Sequence, residues 1–142
     1  MGDAMGLSNG VSLKDYKNHI IPEYIKENAF EGIANDDELQ ICYWRRYGSL
    51  RKEIISKLNL YKDGELPMGG FFHLDADMVE VIKNICVKYL DRKYWEDGHS
   101  DCKDEYDEAK NVILCCIINL IWLADYMRIS DAPVEVYFYD AP

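Results

Sequence analysis

The chain has 142 residues, 49% of them hydrophobic and 30% charged, which suits one core and excludes disordered, collagen-like and low-complexity classes. Its net charge is −10 and unevenly spread: residues 1 to 60 carry eight basic and nine acidic groups, residues 61 to 142 eight and seventeen. A field of that sign repels phosphate backbones and anionic headgroups, so direct nucleic-acid and membrane-surface binding are not expected.

Residues 1 to 11 read as a flexible or appended leader, and residues 12 to 142 as a single helical domain. Ser12 and Asp15 resemble a capping box, and Leu13, Tyr16, Ile20 and Tyr24 follow at helical spacing. A first helix is therefore predicted from Ser12, broken between His19 and Ile21 because Pro22 lacks an N–H and its ring clashes with the preceding turn. Asn35, Asp36 and Asp37 supply N-caps for a second helix, whose face runs through Leu39, Tyr43, Tyr47, Leu50, Ile54 and Leu58.

Gly, Pro and Asn punctuate residues 59 to 76, and Phe71 to Leu74 fits a very short strand. Asp77 with Glu80 again makes a capping box, opening a third helix with Val79, Ile82, Cys86, Tyr89 and Leu90 on its buried face and fading near Trp95. Ser100 or Asp101 is predicted to cap the longest helix, which runs to about Met127 and is apolar nearly all round, so it should be the hub of the core. Its apolar tract, Val112 to Ala124, is interrupted by Asn119 and falls short of the roughly 20 residues that span a bilayer. Val134 to Tyr139 alternates as a terminal strand that could pair with residues near Phe71. The expected fold is mainly α, a bundle of four principal helices with one short C-terminal strand. Five cysteines, Cys42, Cys86, Cys102, Cys115 and Cys116, form no C-x-x-C pair, and with no signal peptide visible before Val11 they point to a reducing, cytoplasmic setting.

Few residues carry the signature of chemistry. His73, Asp75 and Asp77 would share one side of an extended segment as three metal ligands, although Asp77 is already explained as a helix N-cap and Asp75 as favourable to the first-turn dipole. Asp77 with Glu80 and Glu105 with Glu108 are acidic pairs, each on one helical face. The pattern is similar to that of the all-α nucleoside triphosphate pyrophosphatases, with departures from their usual order, and implies a carboxylate-held Mg²⁺ and nucleotide hydrolysis. A solvated acidic first turn explains the same residues. Arg92 and His99 resemble the R-x(4 to 6)-H spacing of HEPN ribonucleases, but residues 91 to 108 hold eight acids against three bases and would repel RNA.

Trp44, Arg45, Arg46, Tyr47, Arg51 and Lys52 are the one basic and aromatic cluster, of the composition that concentrates binding energy at interfaces. The leading expectation is therefore a non-enzymatic acidic protein of the immunity, antitoxin or viral or phage inhibitor type, acting on a basic protein surface. Its expected contact residues are Asp101, Asp104, Glu105, Asp107, Glu108, Trp44, Arg45 and Arg46, with no cofactor and no metal. The alternative is a Mg²⁺-dependent nucleotide hydrolase with a carboxylate metal site.

Overall fold

The computed structural model describes residues 8–30, 36–61, 70–99 and 104–141. Its elements in chain order are β1 (Ser8–Lys14), a 3-10 turn (Tyr16–Asn18), α1 (Glu23–Asn28), β2 (Glu38–Arg45), α2 (Gly48–Leu58), β3 (Gly70–His73), α3 (Ala76–Lys88), α4 (Arg92–Gly98), α5 (Tyr106–Ile129) and β4 (Val136–Ala141). The strands join in one antiparallel sheet of order β2-β1-β4-β3. This is an α+β fold, and the expectation of an all-α helical bundle is wrong.

Two elements account for the error. Residues 8–11, assigned to a leader, open β1, and Ser12 and Leu13, assigned to a helix, complete it. β1 lies between β2 and β4, so Asn9 to Leu13 are buried in succession and lack the alternation of a half-exposed strand. The second predicted helix begins instead as β2. Leu39 and Tyr43 have the spacing of a helical face, but here they belong to a strand whose bulge at Ile41 puts them on opposite faces, Leu39 opposite Leu13 and Tyr43 opposite Gly10. The β-favouring run Ile41, Cys42, Tyr43, Trp44 decides for the strand. Arg46 then takes a left-handed conformation, φ 70°, which turns the chain before α2. From there the helical spacing holds, with Leu50, Ile54 and Ile55 buried.

Elsewhere the local signals mark the elements but shift their ends, and the longest helix starts from Glu105 rather than Ser100 or Asp101. Pro22 is the N-cap of α1, after the predicted break. The expected cap Asp77 lies instead in the first turn of α3, whose N-cap is Asp75, its side chain accepting from the Met78 N–H at 2.8 Å. Asp91 accepts from the Tyr94 N–H at 3.1 Å and starts α4, splitting the third predicted helix in two. β3 pairs with β4, Phe71 opposite Tyr139.

Cross-strand partners share a face of the sheet. Val11, Cys42 and Phe138 lie on the face that meets the helices, in one buried cluster with Ile54 of α2, Ile82 of α3 and Ile113, Cys116 and Leu120 of α5. α5 is long and apolar enough to cross a membrane by length and composition, more so than its thirteen-residue apolar tract suggested. Nine of its 24 residues are buried within the fold. Asn119 among them explains the single polar interruption. The β1–β2 register shifts between Val11 and Ser12, where Ile41 is the extra residue of a bulge. The Asn119 amide donates to the Ile41 carbonyl at 3.0 Å and to the Asn28 carbonyl at 3.2 Å, satisfying a backbone group that the bulge takes out of the ladder.

A buried carboxylate fixes the sheet from the other end. Asp140 of β4 accepts from the Nε and an Nη of Arg51, both at 2.7 Å, from the Asn9 amide and from the Tyr61 hydroxyl at 2.8 Å. The bidentate contact raises the Arg51 pKa, and burial together with the bond to Asp140 pushes the Tyr61 phenol up to about 12. Gly10 is required by a close approach: a Cβ there would stand 2.3 Å from the Cys42 carbonyl oxygen and 2.6 Å from the Tyr139 hydroxyl.

Two stability outcomes follow. Gly10→Ala should destabilise by about 3 kcal/mol, because a backbone oxygen and a packed ring must both shift. Arg51→Leu should cost roughly 3–5 kcal/mol by stranding the Asp140 carboxylate. Urea denaturation measures both, and a loss below about 1 kcal/mol in either variant would contradict the packing described.

Candidate functional site

The packing of α5 on β2 brings together two stretches that are far apart in sequence. Arg45 ends β2, Arg46 forms the left-handed turn and Tyr47 caps α2, while Glu105 is the N-cap of α5 and Glu108 lies in its first turn. With Tyr43, Ala109 and Val112 they line one cleft of about 270 Å³. Arg45, Arg46, Glu105 and Glu108 are exposed, and among the described residues none of the four forms an ion pair. The cleft thus presents two cations and two anions to solvent on aromatic walls. Next to it in sequence, Asp104 is exposed, and Asp107 is 83% exposed and pairs with Arg92 of α4 at 3.1 Å.

Behind the wall, Tyr47 stands edge-on to Trp95 and His99, with ring centroids 6.4 and 6.1 Å away. The His99 ring stacks on Trp95 at 4.6 Å, and its Nδ1 lies 3.0 Å from the Trp95 carbonyl, so this nitrogen carries the proton. Burial lowers the His99 pKa, against smaller opposing contributions from that carbonyl and from Glu105. The imidazole is therefore a neutral structural prop that holds the Tyr47 wall in place.

The expected contact residues are placed differently by the fold. Glu105, Glu108, Arg45 and Arg46 line the cleft; Asp104 and Asp107 are exposed but are not among its lining residues. Trp44 does not belong to the surface: it is 1% exposed, on the face of the sheet that packs against the helices. Arg51 is likewise withdrawn into the Asp140 pair. Asp101 lies outside the described residues. Sequence reading placed Tyr47 in the basic and aromatic cluster but missed Tyr43 as a cleft wall. A period of two across Tyr43, Trp44 and Arg45 places Trp44 inward and its neighbours outward, and was the signal available.

The other candidates do not assemble. His73 packs against Tyr137, Asp75 caps α3, and Asp77 pairs with Arg128 at 2.9 Å, so the three potential ligands are used separately. Arg128 also takes Glu80 at 2.8 Å, which places the Asp77 and Glu80 pair at the C-terminal end of α5. Glu105 and Glu108 are at its N-terminal end, about 30 Å away at 1.5 Å per residue, beyond the reach of one cation. Among the described residues there is no group of three or more His, Cys, Asp or Glu that could hold a metal ion. Arg92 and His99 stand at opposite ends of α4, with Arg92 over the Tyr106 ring and His99 buried. The four described cysteines, Cys42, Cys86, Cys115 and Cys116, are free thiols; burial raises the pKa of Cys42, Cys86 and Cys115.

Comparison with protein-family models, with curated proteins and with solved structures finds no match to this chain.

The lowered His99 pKa has a measurable sign. A base held neutral in the folded state stabilises above its unfolded pKa of 6.5, and that stability is lost as pH falls, because the unfolded chain takes up the proton first. His99→Phe keeps the stack on Trp95 and removes the titration. Its stability should fall less than the wild type's between pH 6.5 and about 5 in urea denaturation, and equal losses would show that His99 titrates normally.

Proposed function

We propose that the protein is a non-enzymatic binding protein that engages a basic protein surface through the cleft at the start of α5, in the manner of immunity proteins, antitoxins and viral or phage inhibitors. The observation that carries this reading is the cleft itself, where Glu105 and Glu108 face solvent beside Arg45 and Arg46 without an internal partner among the described residues. A partner Lys or Arg side chain lying between Glu105 and Glu108 exchanges hydration for two charge-assisted hydrogen bonds. Tyr43 and Tyr47 provide apolar walls for its aliphatic stem. Arg45 and Arg46 select for an acidic residue beside that cation and so discriminate among basic partners.

Long-range charge adds rate. Residues 91 to 108, which lead into α5, carry a net −5, eight acids against three bases. Such a field accelerates encounter with a basic surface and does so less as salt rises.

Affinity capture from the native cell followed by binding kinetics tests the proposal. With the captured protein, the double reversal Glu105→Lys, Glu108→Lys should weaken binding at least tenfold, mostly by slower association, and the wild-type association rate should fall steeply with salt. The reversal Arg45→Glu, Arg46→Glu should weaken the same complex through faster dissociation. Capture of no protein, or a complex indifferent to both reversals, overturns the proposal.

A further inference from the structure

The outward face of α5 is apolar where a free surface would be polar. Leu114, Ile118 and Ile121 are 40%, 42% and 48% exposed, at spacings of 4 and 3 that keep them on one face, and Asp125 continues that face four residues on. Ile118, Ile121, Trp122 and Asp125 line a groove of about 310 Å³ with Tyr24 of α1 and with Ile129, which is 78% exposed. Lys110 is exposed at the edge of the same stripe, and among the described residues neither Lys110 nor Asp125 forms an ion pair.

The arrangement is self-complementary. Lys110 and Asp125 stand equally far, in opposite directions, from the midpoint between Ile117 and Ile118, and so do Leu114 and Ile121. A twofold axis through that midpoint, perpendicular to the helix, sets Lys110 of one copy against Asp125 of the other, twice, and Leu114 against Ile121, twice. In this antiparallel register Leu114 of the second copy meets Ile118, Ile121, Trp122 and Asp125. Those residues stand at i, i+3, i+4 and i+7, the four corners of a hole for an interhelical knob. From these features we infer that the α5 stripe is the interface of an antiparallel homodimer.

Area and charge both favour a second copy as occupant. The exposed parts of Leu114, Ile118, Ile121, Ile129 and Tyr24 come to on the order of 550 Å², and Lys110 and Asp125 bring the patch close to the roughly 800 Å² a side of a standard interface. A patch of this size is at the upper end of what monomers expose, and such patches are often functional surfaces. A lipid surface would take the isoleucines but would gain nothing from a cation and an anion placed symmetrically about their centre. The stripe is separate from the Glu105 and Glu108 cleft, so this inference stands apart from the proposed function.

Sedimentation equilibrium on the full chain is the test. The wild type should contain a species of twice 16.6 kDa, and Ile118→Glu should be monomeric with an unchanged circular dichroism spectrum, since the side chain is already part-exposed. Lys110→Glu and Asp125→Lys should each weaken dimerisation about tenfold, and the double swap should restore it to within about threefold, a rescue that misfolding would not give. A wild type that stays monomeric at about 100 µM, an Ile118→Glu variant that still dimerises, or a double swap without rescue each overturns the inference. So does a monomeric wild type that binds phosphatidylcholine vesicles through Ile118, which would assign the stripe to lipid.

Discussion

A carboxylate removed from water is among the most expensive groups a protein can bury, and Asp140 is buried in full. It is tolerated because Arg51, Asn9 and Tyr61 reach it from three parts of the chain: α2, β1 and the segment after α2. None of these donors finds the carboxylate unless β4 lies beside β1 with α2 above them, so the ion pair selects the strand order as much as it stabilises it. The rest of the layer then follows. α5 crosses the sheet where Asn119 can meet the bulged Ile41 carbonyl, and the start of α5 comes to rest against the end of β2.

That placement gives the two ends of α5 different roles. Its C-terminal end is neutralised within the fold, since Arg128 takes both Asp77 and Glu80. Its N-terminal end keeps its carboxylates in solvent, where the helix dipole favours them and a cationic partner can reach them. Between the ends, one side of the helix belongs to the core and the opposite side carries the apolar stripe. A single element thus supplies the hub of the fold, a charged rim and a self-complementary seam.

Much of this was legible residue by residue, and the failures have specific causes. The tail strand, the short strand at Phe71, the break before Pro22 and the central long helix follow from alternation, punctuation and unbroken apolarity. β1 escaped because a central strand built from Ser8, Asn9, Gly10 and Ser12 lacks an apolar pattern; its small residues exist to fit Tyr139 and Cys42, which are distant in sequence. β2 was misread because Leu39 and Tyr43 keep helical spacing while the bulge at Ile41 breaks the strand's alternation. Of the candidate site, the acidic and basic stretches were each visible, but their meeting across a cleft depends on β2 being a strand. The same correction moves Trp44 from surface anchor to core.

β4 occupies an inner position of the sheet although it is made after every other described element. Until residues 136 to 141 leave the ribosome, β1 has a free edge toward the missing strand, β3 has no neighbour among the described strands, and Arg51 and Asn9 lack the carboxylate they surround. Non-local pairing of this kind slows folding, and an unpaired edge beside exposed aliphatic side chains is a site for intermolecular association. The interval in which that edge stands open ends when β4 pairs with β1 and Asp140 meets Arg51.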